Sequence, residues 1–337
     1  MISIIIPTLN RASSLATAIK SFVAQNFSVD NFEILVIDNG SIDNTKQIVE
    51  NAKDNHSHQI HYIYEPEPGS LSGRHRGALE AKGDILIFAD DDIQADVDWL
   101  QAIEDSFTDP SVQLVGGRNL PKYEAEPPEW LDWFWEEHPY GQVCGYLSLL
   151  EFGDQVREID ANYVWSLNFS IRKKALFELG GFHPDYVPKH LQHFQGDGET
   201  GLTLKANHFG YKAIYQPRAL VFHQVSKERM THEYFDKRSF FQGVCNSYTD
   251  IRQMNGKLKQ KSLKGKIKAS LKALKQKILT KPQNLSEKAV LQQRFNTALL
   301  EGYQFHQNAV SKNPELLNWI LKPDYWDYEL PKLHLSL

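Results

Sequence analysis

The chain keeps two rhythms. Up to about residue 223, short apolar runs alternate with segments in which apolar residues recur every three or four positions. Residues 2–6 are a β-branched run stopped by Pro7, after which Leu15, Ile19, Phe22 and Val23 fall at helical spacing. Residues 32–37 form a second apolar run, and it ends in Asp38-Asn39-Gly40-Ser41, the residue types of a turn. Residues 60–64 predict a third strand and 72–81 a helix ended by Gly83. A fourth strand, 85–89, runs straight into Asp90-Asp91-Asp92. Strands alternating with helices predict an α/β fold, a mainly parallel sheet with helices on both faces. In such sheets ligands bind beyond the carboxyl ends of the strands. Thr8, Asn10, Asp38 and the three aspartates all fall there.

The rhythm changes after about residue 230. Helical spacing dominates, and residues 257–281 hold ten lysines and no acid around Leu263, Ile267, Leu271, Leu274 and Ile278. A basic amphipathic segment of this kind reads either as a membrane-surface helix or as a helix packed on the domain with a solvated basic face. A polar helical stretch (286–308) and an aromatic tail (319–328) follow. The change predicts an α/β domain over residues 1–225, with halves 1–118 and 119–225, and a helical C-terminal region over 226–337.

Composition narrows the setting. A 337-residue chain with 41% hydrophobic residues can bury a sizeable core, and a net charge of −5 gives no reason to invoke nucleic acid. Cys144 and Cys245 are far apart and lack metal-ligand spacing, so they read as reduced thiols of a cytoplasmic protein. The apolar start is too short for a signal peptide, and no run of about 18 apolar residues occurs. The expectation is a soluble or peripheral protein, cytoplasmic or at the inner face of the cell membrane.

Three places carry candidate chemistry. Adjacent carboxylates at Asp90, Asp91 and Asp92 repel one another unless cations or donor groups neutralise them. Carboxylate oxygens suit Mg2+ or Mn2+, which commonly bridge to substrate phosphates. The plainer reading is a set of acids at the start of the helix holding Trp99 and Leu100. Asp38 is placed either to accept from a ligand N–H or to cap its own turn. Residues 68–77 form a glycine-bearing loop into a helix, where Gly69 allows close backbone approach and Arg74 or Arg76 can meet phosphate.

Taken together these segments resemble glycosyltransferase family 2. Ile4-Ile5-Ile6-Pro7-Thr8-Leu9-Asn10-Arg11 is similar to its opening strand and first nucleotide loop, and Val36-Ile37-Asp38-Asn39-Gly40-Ser41 to its second strand end. Ser72-Gly73-Arg74-His75-Arg76-Gly77 is similar to its arginine-bearing helix start, and Phe88-Ala89-Asp90-Asp91-Asp92 to its DxD metal motif. Asn168-Phe169-Ser170-Ile171-Arg172, Gly180-Gly181-Phe182, Asp197-Gly198-Glu199-Thr200-Gly201-Leu202 and Val221-Phe222-His223 complete the series in order.

The resemblance implies a GT-A fold whose first half, 1–118, binds a nucleotide sugar and whose second, 119–225, receives the acceptor. It implies donor contacts from Pro7, Thr8, Asn10, Arg11, Asp38, Gly69, Arg74, Asp90 and Asp91. It places Mn2+ or Mg2+ on Asp92, with His223 as a further ligand or a satisfied core histidine. The general base is Asp197, with Glu199 as the competing choice, because Gly196 stands where the family usually has an acid. Both also read plainly as acids at a helix start. The expected reaction is inverting transfer from a nucleoside-diphosphate sugar, a UDP-sugar favoured, to a hydroxyl of a glycan or lipid-linked acceptor. The competing reading is a weakly active or inactive binding subunit of a glycan assembly complex. A nucleotidyltransferase would need a glycine-rich phosphate loop after the first strand, and Pro7-Thr8-Leu9-Asn10-Arg11 is not one.

Overall fold

A computed structural model of the chain describes residues 1–258, 286–327 and 329–330. Each apolar run at the start of the chain is a strand: β1 (Ile2–Thr8), β2 (Phe32–Asp38), β3 (Gln59–Tyr64) and β4 (Ile85–Ala89). All four are parallel, in the order β3-β2-β1-β4, and β1 is in register with β2 from Ile2↔Phe32 to Thr8↔Asp38. The continuous apolar content of β1, β2 and β4 has a simple cause: both faces of these strands are covered, so nearly every position is apolar. Crossover helices α1 (Ala12–Val23), α2 (Thr45–Asn55) and α3 (Ser70–Glu80) supply that cover.

Strand β5 (Ile93–Ala95) separates the aspartate triplet from α4 (Trp99–Phe107). The triplet is therefore not the first turn of a helix, and the helix-start reading of Asp90, Asp91 and Asp92 is set aside. Strand β6 (Val112–Tyr123) leads to a hairpin-rich segment with β7 (Glu136–His138), β8 (Gly141–Cys144), β9 (Leu149–Glu151) and β10 (Arg157–Ile159). Strand β11 (Asn168–Arg172) then inserts antiparallel between β4 and β6, and α5 (Lys173–Glu178) and α6 (Glu199–His208) follow. Strand β12 (Lys212–Val225) pairs parallel with β6 and antiparallel with β5 and β10. The result is one twelve-stranded mixed sheet whose parallel part carries the strand ends singled out above. The core beneath α1 and α4 is Ile4, Ile6, Phe22, Phe32, Val36, Ile87, Trp99 and their neighbours, all buried.

The chain divides into two compact units. The first comprises Met1–Lys189, Gly198–Met230 and a return segment beginning at Pro323; the second comprises His190–Asp197 and the described part of Thr231–Lys322. The boundary runs between Asp197 and Glu199. In the first unit, His75 on α3 meets the return segment: its Nδ1 donates to the Tyr325 carbonyl at 3.3 Å, and its ring stacks on Trp326 at 4.1 Å. In the second, α7 (His232–Gln253) and α8 (Glu287–Lys312) pack on each other, with the short α9 (Pro314–Ile320) against them. Residues 259–281 of the lysine-rich segment lie outside the described residues. Among the described residues, no helix is long and apolar enough to cross a membrane.

Candidate active site

Helix α3 is drawn onto the sheet by two glycines one turn apart. A Cβ at Gly77 would overlap the Ile5 side chain, and one at Gly73 would stand 3.2 Å from Pro7 Cβ and 3.0 Å from Asn39 Oδ1. Their absence lets the helix lie against β1 and β2, and this brings Arg74 to the carboxyl end of the sheet. Gly69 precedes the helix at φ +106°, backbone that favours glycine.

The loops after β1 and β2 clasp each other. Asn10, at φ +55°, donates its N–H to Ser41 Oγ and accepts from Ile42 N through Oδ1, both at 2.8 Å. Asp38 is buried, and its two oxygens accept from Ser41 N and Tyr62 OH at 2.8 Å each. The turn-capping geometry is thus present. Burial and the hydrogen bond to Asp38 push the Tyr62 phenol up to about 12.

At the end of β4 the repulsion within the triplet is met by arginines. Two like charges about 4 Å apart repel by roughly 4 kcal/mol near a protein surface, so compensation is required. Arg11 Nη1 bonds Asp91 Oδ1 at 2.7 Å and Asp92 Oδ2 at 2.9 Å. Thr8 Oγ1 donates to Asp91 Oδ2 at 2.7 Å. Arg229, on the short helical turn after β12, donates from Nη2 to Asp92 Oδ2 at 2.7 Å. Arg74 lies 3.9 Å from Asp90 Oδ1 and 3.8 Å from Asp185 Oδ2. Three carboxylates meet three guanidiniums. Burial raises the Asp91 carboxyl to about 6, with Arg11 offsetting only part of the effect. Burial also acts to raise Asp92, and the charges of Arg229 and Arg11 oppose that rise.

His223 sits beside Asp92 with a definite tautomer. Its Nδ1 is 2.8 Å from the Leu147 carbonyl, which can only accept, so Nδ1 carries the proton. Its Nε2 is 2.5 Å from Arg229 Nη1, which can only donate, so Nε2 presents a lone pair. A proton on Nε2 would set two donors face to face at that separation. Nε2 lies 3.5 Å from Asp92 Oδ1, an oxygen without a hydrogen-bond partner.

A divalent cation fits this pair in part. A carboxylate oxygen and an imidazole lone pair converge, and the Nδ1–H bond to a carbonyl is the outer contact that orients metal-bound histidines. Among the described residues, however, no group of three or more His, Cys, Asp and Glu side chains is arranged to hold a metal ion. Two protein donors suit a cation that takes its remaining ligands from phosphate and water.

Arg74 is almost fully buried, and its Nε and Nη1 have no hydrogen-bond partner. Buried guanidinium N–H groups left over in this way are costly unless a ligand completes them. Asp197, in the second unit, is buried and accepts from Thr249 Oγ1 on α7 at 2.7 Å. Glu199, in the first unit, is the first residue of α6. Sequence reasoning missed Arg229, Asp185 and Thr249. The charge of the triplet was the available signal: three acids in one place call for cations, and Arg229 follows His223 by six residues.

Comparison with known proteins agrees with this architecture. The model of the family described as Glycosyl transferase family 2 matches residues 3–179. The chain is 25% identical over 254 residues to the glucosyl-dolichyl phosphate glucuronosyltransferase of Haloferax volcanii, covering 74% of this chain and 77% of that one. It is 31% identical over 216 residues to glycosyltransferase AglE of the same organism, covering 64% of each. A mannosyltransferase of Pyrobaculum calidifontis, solved with GDP-Man and Mn2+, superposes with a TM-score of 0.55 at 19% identity. That match covers 97% of this chain and 88% of the other, and it establishes a shared GT-A fold. With a matching family model over more than half its length and a glycosyltransferase architecture beneath it, this chain belongs to glycosyltransferase family 2.

Proposed function

We propose that the protein transfers a sugar, with inversion, from a nucleoside-diphosphate donor to an acceptor hydroxyl, and that the transfer depends on a divalent cation. The observation that carries this reading is the convergence of Asp90, Asp91, Asp92, Arg11, Arg229 and His223 at one strand end. Positive guanidiniums beside partly unsatisfied acids suit a ligand that brings both anionic phosphate and a cation. Pro7, Thr8, Asn10, Arg11, Asp38, Gly69, Arg74, Asp90 and Asp91 are assigned to the donor, and a UDP-sugar is the favoured one.

In the transfer, the acceptor oxygen attacks the anomeric carbon from the face opposite the diphosphate and gives its proton to a carboxylate. The new C–O bond forms as the bond to the diphosphate oxygen breaks, and the leaving group takes that electron pair. Asp197 is assigned as the base, with Glu199 as the competitor. The hydrogen bond from Thr249 orients Asp197, whereas Glu199 already has a structural part as an acid at a helix start. Arg11, Arg74 and Arg229 provide positive charge for the departing diphosphate. Asp92 and His223 would hold the cation, which when bound neutralises charge on that diphosphate.

The acceptor is proposed to be a glycan or lipid-linked glycan in polysaccharide or glycoconjugate synthesis. The dolichyl phosphate in the name of one Haloferax relative favours the lipid-linked form. Residues 257–281 are proposed to bring the enzyme to the inner face of the cell membrane, on their sequence pattern alone. Calorimetric titration with UDP, GDP, dTDP and CMP, with and without Mn2+, tests the donor and cation together. Asp92→Ala or EDTA should weaken diphosphate binding at least tenfold. Equal affinity with and without metal would overturn cation dependence.

A further inference from the structure

We infer that Arg229 is an internal counter-cation that occupies the divalent cation's place until a nucleoside diphosphate arrives, so that cation and donor bind together. The inference rests on the proposed assignment of Asp92 and His223 to the cation. Its basis is the bidentate reach of one guanidinium. Nη2 donates to Asp92 Oδ2 at 2.7 Å while Nη1 donates to His223 Nε2 at 2.5 Å. The same two side chains that present a carboxylate and an imidazole lone pair to a metal are thus bridged by one positive fork. Coordination needs that lone pair, and a hydrogen bond to it is a direct competitor.

The surroundings favour the closed arrangement. Asp92 and His223 are buried, and Arg229 is four-fifths covered, so its hydrogen bonds are shielded from water. Arg11 adds a second guanidinium to Asp92 Oδ2 at 2.9 Å, but it does not touch His223. Arg11 therefore offsets charge, whereas Arg229 both offsets charge and blocks a donor atom. Arg229 lies on a short turn immediately after β12, so the exchange asks only this side chain and its turn to rearrange. A diphosphate offers the released guanidinium an anion and offers the cation further oxygens. Each of these makes the exchange more favourable, and by reciprocity the cation must tighten the diphosphate by the same factor.

Mn2+ binding to the full-length protein, read from loss of the free-ion EPR signal, tests this without any transfer reaction. The wild type should bind Mn2+ weakly alone and much more tightly with UDP. Arg229→Gln should tighten nucleotide-free Mn2+ binding about tenfold or more, and the enhancement by UDP should shrink correspondingly. Arg229→Lys, which keeps the charge without the fork, should fall between the two, and it serves in place of Gln if that variant fails to fold. Arg11→Gln removes the same unit of charge from Asp92 and should tighten Mn2+ by less than threefold. Asp92→Asn placed in the Arg229→Gln background should abolish the gain.

If Arg229→Gln and Arg229→Lys bind Mn2+ no tighter than wild type, while Asp92→Asn abolishes wild-type binding, the cation assignment stands and the counter-cation role is overturned. An Arg11→Gln gain equal to that of Arg229→Gln would reduce the effect to charge alone and overturn it as well. If no variant binds Mn2+, or binding is indifferent to Asp92→Asn, the cation assignment itself fails and takes the inference with it.

Discussion

In the α/β unit a group of buried charged side chains gathers at one end of the sheet, where Asp91, Asp92 and Arg74 lie within or beside a network of arginines. In the helical unit the buried polar side chains are mostly neutral and run along the α7–α8 seam. There Ser247 Oγ contacts His306 Nδ1 at 2.8 Å and accepts from Gln307 Nε2 at 3.0 Å. The contrast is physical. Buried charge is tolerated where an incoming ligand can exchange with internal partners, and it costs stability until that happens. Neutral hydrogen bonds along a helix seam have no such exchange to make, so they fix the register of the pair.

The largest expected effect separates the two candidate bases, which stand on either side of the unit boundary. Asp197→Asn should lower kcat by roughly 100- to 10,000-fold with little change in diphosphate affinity, because a base acts on the acceptor proton and not on the donor. Steady-state kinetics beside calorimetry checks this. Near-normal turnover in Asp197→Asn together with loss in Glu199→Gln would move the role to Glu199.

The next effect concerns stability in the helical unit. A Cβ at Gly243 would overlap the Leu299 carbonyl, and one at Gly302 would overlap that of Phe240, so each helix meets the backbone of the other. Gly243→Ala must push α7 and α8 apart and should cost about 1–3 kcal/mol in urea unfolding. Gly145→Ala, with nothing within 4 Å of the new methyl, is the control and should lie within about 0.5 kcal/mol of wild type. Equal stability of the two variants would refute the close crossing.

A smaller, graded effect comes from one buried histidine in each unit. Burial lowers His75 to about 3, and its Nε2 accepts from Phe182 N at 2.9 Å, an arrangement that a second ring proton would break. Burial lowers His306 to about 4. The unfolded chain titrates near 6.5, so below that pH it binds protons the native state refuses. These histidines contribute their full stabilisation above pH 6.5 and lose it as the pH falls toward 4 and then 3. The slope approaches about 1.4 kcal/mol per pH unit for each. Urea unfolding from pH 7 to 5 should show the fall, and His306→Gln should flatten it by about one proton. An unchanged slope in that variant would mean that His306 is not buried in its neutral form.

Whereas the edge strand β3 is only partly covered, the inner strands β1, β2 and β4 were legible because both faces of each are buried, which leaves no alternation and writes each as an apolar run. Their polar ends were legible for the converse reason: Thr8, Asp38 and Asp90 to Asp92 interrupt those runs abruptly. The family was legible because its motifs are local and ordered. The mixed part of the sheet was not, since β7 to β10 are only three or four residues long, and β9 and β10 pair with β6 and β12 far along the chain. Residue types and their order along the chain therefore determined the α/β class, the family and the position of the acidic triplet. The tertiary structure alone decided what neutralises that triplet, because Arg11, Arg229 and Asp92 are joined across 80 or more residues. It also decided the proton position on His223, which depends on a carbonyl 76 residues away. Electrostatic partnership is a matter of distance in space, and a local pattern carries no record of it.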